Sequence, residues 1–75
     1  MKRAELEKFL GKKVEVKLFN GDIVQGILHK TGEEMFKSNL NLYIPENRYF
    51  LTDDNDKCIS YLFRSSHVKK INWGG

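Results

Sequence analysis

Residues 13–30 read KVEVKLFNGDIVQGILHK, and they spell a bent β-hairpin. Val14, Val16 and Leu18 alternate with Glu15 and Lys17, the period of a strand with one buried and one wet face. Asn20-Gly21 then supplies residues that tolerate positive φ, a strong short-range hairpin signal. A loop of Asn20-Gly21 alone would place Ile23, Gln25 and Ile27 on the face of Val14, Val16 and Leu18. A loop of Phe19-Asn20-Gly21, a type I turn closed by a left-handed glycine, places Asp22, Val24, Gly26 and Leu28 there instead. The second register is favoured because it keeps Gln25 out of the core, and a slip of one residue inverts every side chain. It also explains a glycine at position 26, since with no side chain to pack the strand can bend there and another backbone can come close.

Outward from the hairpin, KRAELEKFL at residues 2–10 sets Leu6, Phe9 and Leu10 on one helical stripe, with Gly11 at the stop. About two turns of helix are too short to stand alone, so this stripe is predicted to lie as a lid on the core. Residues 31–39, TGEEMFKSN, mix turn residues and acids with the exposed-looking pair Met35-Phe36. Leu40–Ile44 reads as a short strand that Pro45 ends or sends to a sheet edge, and Pro45-Glu46-Asn47 is turn chemistry. Arg48–Thr52 and Lys57–Arg64 read as β-runs joined by the polar tip Asp53–Asp56. Val68–Trp73 reads as a closing strand after Ser65-Ser66-His67, and Gly74-Gly75 as a frayed end. The expectation is one domain over residues 1–75 with a helix near 2–10 and a barrel near 13–73. Its class is all-β: a small, strongly bent, five-stranded SH3-like barrel with a short N-terminal α-helix.

A chain of 75 residues hides only about 60% of its unfolded surface, and domains of this size usually draw on disulfides, metal or partner subunits. Cys58 is the single cysteine, so no disulfide forms within the chain. With His29 and His67 it gives no zinc spacing. The acidic tip is no EF-hand either, since counting from Asp53 the fifth, sixth and twelfth positions are Lys57, Cys58 and Arg64. No metal or other cofactor is expected, and oligomerisation is the support that remains. A net charge of +3 suits phosphate-rich partners without demanding them. The lone thiol, with no secretory segment and no membrane-spanning apolar run, predicts a cytoplasmic protein with no membrane association. For an enzyme the chain offers no nucleophile elbow, no phosphate loop and no convincing pair of acids. Cys58 on an alternating strand reads as core, and no catalytic residue is predicted.

The order of a helix, then GKKVEVKLFNGDIVQGIL, then a strand containing LNLYI, then LFRSSHVKKI resembles the Sm-like (LSm) family. Gly21, Val24 and Gly26 match the turn glycine, apolar residue and bending glycine of its first motif. Phe63, Arg64 and Val68 match its second motif, although Ser65 stands where the family has glycine. The family's loop after the second strand carries Asp, a base-stacking residue and a Met-Asn pair. A gapless match sets Met35 on that Met but Phe36 on the Asn, with Gly32 on the Asp. A match with inserted residues sets Leu40-Asn41 on the pair, with Lys37 for the Asp and Asn39 for the stacking residue. Neither restores the whole nucleotide pocket.

The resemblance implies a homo-oligomeric ring in which the fourth strand of one subunit, here Lys57–Arg64, pairs with the fifth of the next, Val68–Trp73. Ring closure would bury edge strands and extend a small core. It also implies single-stranded RNA binding, with Arg64 stacking on a base or bonding phosphate and Asn41 reading a base edge. Lys37, Asn39 and His67 are weaker candidates for the same site, and Lys69 and Lys70 add to a basic surface. The alternatives are a structural or protein-interaction ring of the same fold that has lost RNA binding, and a monomeric SH3-like adaptor for peptides.

Overall fold

The computed structural model describes residues 1–73; the reading of Gly74-Gly75 as a frayed end lies outside the described residues. The hairpin adopts the three-residue-loop register. Strands β1 (Lys13–Leu18) and β2 (Ile23–Lys30) set Val16 opposite Val24 and Val14 opposite Gly26. The loop is closed by Gly21 at φ +94, whose N–H donates to the Leu18 carbonyl at 3.0 Å, while the Leu18 N–H donates to the Asp22 carbonyl at 2.9 Å. Gln25 stays outside, its Nε2 donating to Glu15 Oε2 at 2.7 Å. A Cβ added at Gly26 would sit 2.6 Å from the Thr52 carbonyl oxygen, which is the close backbone approach that glycine permits.

Two further strands, β3 (Tyr49–Thr52) and β4 (Val68–Trp73), complete an antiparallel sheet of order β3-β2-β1-β4. That is four strands among the described residues, where a five-stranded barrel was expected; of the runs read as β, 40–44 and 57–64 form no strand. The segment 57–64 runs beside β3 without becoming a strand: Thr52 bridges Cys58 and Tyr49 bridges Phe63. Between these bridges the Leu51 N–H donates to Ser60 Oγ at 2.9 Å rather than to a carbonyl. Four residues, 59–62, span what β3 spans with Phe50 and Leu51, so the surplus bulges away from the sheet.

A second correction concerns Leu40–Ile44, predicted as a strand. Leu40–Tyr43 is a single α-helical turn, α2, counting Arg3–Leu6 as α1. Asn39 caps it, its side-chain oxygen accepting the Asn41 N–H at 3.2 Å, and the Ile44 N–H donates to the Leu40 carbonyl at 3.0 Å. An asparagine that satisfies an orphan N–H favours the helical start over an extended run. Only Leu42 of the three aliphatic residues is buried; Leu40 and Ile44 face solvent.

The inner core gathers Leu6, Val16, Leu28, Leu51, Phe63 and Val68 among others. As predicted, the N-terminal helix lids it: α1 passes into a 3-10 turn at Glu7–Phe9, Leu6 is fully buried, and the chain leaves through Gly11 at φ +80. A second cluster of Phe36, Leu42 and Phe50 lies on the other side of β3. His29 joins it, its ring centroid 5.1 Å from that of Phe36, while Phe36 and Phe50 meet edge to face at 4.9 Å. The segment 31–44 thus covers the outer face of the sheet, and all four residues of β3 are buried. Phe36 is therefore core; only Met35 of that pair is exposed. Among the described residues no helix is long and apolar enough to cross a membrane.

Candidate nucleic-acid interface

The predicted site residues fall into two groups. Lys37, Asn39 and Asn41 lie exposed on the covering segment, where the Asn39 side chain is already engaged as the α2 cap. Asn39 lines a groove of about 370 Å³ with Met35, Ser38 and Lys57. Arg64 and His67 lie exposed at the connection into β4, around the 3-10 turn Ser65–His67. There the Arg64 N–H donates to His67 Nδ1 at 3.4 Å and the His67 N–H donates to the Arg64 carbonyl at 2.9 Å. Arg64 and His67 are thus brought together, as are Asn39 and Asn41, but Asn39 and His67 line different grooves.

The groove at His67 is the more eventful. It measures about 400 Å³ and is lined by Leu18, Phe19, Asn20, Tyr61 and His67. Phe19 opens the three-residue loop and so leaves the alternation of β1; its ring is 67% exposed. Its N–H donates to the His67 carbonyl at 2.9 Å, which ties the hairpin tip to the turn before β4. Tyr61 arrives by the bulge in 57–64. Its hydroxyl donates to Asp22 Oδ2 at 3.2 Å and accepts from Asn20 Nδ2 at 3.0 Å, while Asn20 Oδ1 accepts the Asp22 N–H at 3.0 Å. Two exposed aromatic rings and an imidazole therefore border one groove, and the tyrosine ring is oriented by its polar edge.

The adjoining sheet surface is cationic. Lys17 pairs across strands with Lys70, and the register then shifts so that Leu18 faces Val68, leaving Lys69 as the surplus residue. Like charges directly opposite one another are destabilising, a cost that a bound phosphate would offset. Aromatic faces beside cations suit unpaired bases on a phosphate backbone.

Phe19, Asn20 and Lys17 were not singled out from sequence. The signal for Phe19 was present, because the favoured register puts it in the loop, where a large apolar residue has nothing to pack on. Tyr61 falls within the run 57–64 that reads as a strand, and the bulge that turns it outward leaves no mark in the alternation. The acidic tip is a self-contained turn: Asp53 Oδ1 accepts the N–H groups of Asn55 at 2.8 Å and Lys57 at 3.0 Å. The Lys57 bond, then that from Asn55, holds its carboxyl below the usual range. No cluster of three metal-ligating side chains occurs among the described residues.

Compared with protein-family models, curated proteins and solved structures, the chain matches none.

Proposed function

We propose that the chain is an Sm-like barrel subunit that binds single-stranded RNA in the groove at the hairpin tip. The observation that carries this reading is the convergence of Phe19, Tyr61 and His67 on one groove, next to the Lys17–Lys70 pair and Arg64. In this reading bases stack on the rings while the lysines and Arg64 take the phosphates, so capture is electrostatic and largely tolerant of sequence. In this reading the segment 57–64, which meets β3 at two isolated bridges, stands in for the ring-forming strand, with β4 on the opposite flank of the sheet. A homo-oligomeric ring would join those two flanks, and Ile59 and Trp73, about half exposed, would be covered by it.

The test is fluorescence anisotropy of labelled oligouridine and oligoadenine at two salt concentrations, with the protein's mass measured in the same buffer. Binding is expected to weaken with salt. Phe19→Ala and Arg64→Ala should each lower affinity about tenfold, the order of one lost base stack or phosphate contact. Both side chains are exposed, so folding is retained. Absence of saturable binding at low salt, or a Phe19→Ala variant that binds as the parent does, would sink the assignment.

A second reading is a protein-interaction oligomer without RNA. It is favoured by the Asn39 side chain, which is spent on capping α2, and by Leu40 and Ile44, which stand exposed beside it. A ring that ignores both oligonucleotides would support it.

A further inference from the structure

At the other end of β2 the N-terminal helix and the 43–49 stretch enclose a cleft of about 390 Å³, a size common for small-molecule sites. Three cations reach it from segments distant in sequence: Arg3 from α1, Lys30 from the end of β2 and Arg48 from the turn before β3. Two carboxylates also line it, Glu7 and Glu46. Glu7 is engaged, since Tyr49 Oη donates to its Oε2 at 2.7 Å and Lys30 Nζ lies 3.7 Å from its Oε1.

The guanidiniums are held more loosely, although Arg3 is close enough to Glu7 and Tyr49 to help the Tyr49 bond lower the Glu7 carboxyl. Among the described residues neither Arg3 nor Arg48 makes an ion pair. Arg48 Nη1 donates only to carbonyls of its own turn, Glu46 at 3.1 Å and Asn47 at 3.5 Å. A planar fork that meets only carbonyls, with a second guanidinium on the same cleft, matches the oxygens of a phosphate group. The same cleft is walled by Tyr43, Ile44 and Pro45, an apolar surface on which a flat heterocycle can rest. Gly32, in the left-handed region at φ +88, lines the cleft beside Tyr43.

We infer that this cleft is a second site, sharing no residue with the tip groove, for a nucleoside carrying a phosphomonoester. Arg3 and Arg48 hold the phosphate, Lys30 supplies further positive charge, and Tyr43 with Pro45 receives the base. The shared chemistry has two sources, a free mononucleotide and the 5′-phosphate end of an RNA chain.

The experiment is a nitrogen–proton correlation titration of the full chain with uridine monophosphate, uridine and inorganic phosphate. Short RNAs with and without a 5′-phosphate form the second arm. The monophosphate is expected to shift the Gly32, Arg48 and Tyr49 amides saturably, more tightly than inorganic phosphate, with uridine silent. Arg48→Gln and Arg3→Gln should each weaken it about tenfold, and both leave backbone bonds in place. Phe19→Ala should leave it unchanged, which separates this site from the tip groove even if that groove binds nothing. A response to phosphorylated RNA alone assigns the site to chain ends, and a response to the mononucleotide alone assigns it to free nucleotides. No saturable shift with any phosphate-bearing probe would overturn the inference, as would undiminished binding by Arg48→Gln. Equal affinity for inorganic phosphate and the mononucleotide would overturn the base-binding wall.

Discussion

The β1–β2 hairpin and the segment 31–64 are built by different means. In the hairpin a backbone ladder fixes position, and each side chain follows from its place in the alternation. From 31 to 64, outside the four residues of β3, no strand forms; short helical turns, a bulge and individual side chains do the fixing. Asn39 caps α2, Ser60 stands in for a carbonyl and Asp53 closes a turn. Regular structure can be read from periodicity, whereas structure held by single side chains must be recognised one bond at a time.

The sharpest way to break the contrast is Phe36→Ala. Phe36 is 5% exposed and touches His29 and Phe50, so its loss should cost about 3–4 kcal/mol in denaturant unfolding. If the two regions are separately built, hydrogen exchange should accelerate in 31–44 while the β1–β2 amides keep most of their protection. Uniform loss of protection would show one cooperative unit. Gly26→Ala attacks the hairpin side, where the added methyl meets backbone rather than a movable side chain. The expected cost is about 2–3 kcal/mol, and near-parental stability would contradict the close approach of Thr52.

A smaller effect sharpens the comparison where the two regions meet, at the bond from Tyr49 to Glu7. Burial, then Glu7, pushes the Tyr49 hydroxyl up to about 12, and the Tyr49 bond holds the Glu7 carboxyl below the usual range. The unfolded tyrosine ionises near pH 10, so this stability is whole below that and fades as pH rises from about 10 toward 12. The Glu7 share is whole above the ordinary carboxylate range and fades as pH falls through its lowered value. Tyr49→Phe should cost about 1.5 kcal/mol at neutral pH and flatten the alkaline limb of a stability–pH profile. An unchanged limb would mean that another group governs it.

The same contrast decides what was legible. The hairpin register followed from keeping Gln25 wet, the bend from Gly26, and the lid from Leu6, Phe9 and Leu10. LNLYI at 40–44 alternates as a strand should, yet Asn39 before it and Pro45 after it mark a capped turn, and the cap prevails. Phe36 has no apolar neighbour at strand spacing, and its one neighbour at i+4, Leu40, is exposed, so nothing local announces that it packs across the sheet. Arg64 and His67 were candidates through the resemblance of the stretch that carries them. Phe19 and Tyr61, which line a groove with His67, were not, since one depends on the register and the other on a bulge.

The double burial of β3 also orders events in time. The hairpin joins residues close in sequence and can form early, but a four-residue strand covered on both sides gains its full burial only when the lid and the 31–44 segment have both docked. β3 is therefore the element whose opening exposes both hydrophobic layers together. A folding chain that pauses before that docking presents a short, apolar, unpaired edge, which makes it the moment of greatest risk for association between immature copies.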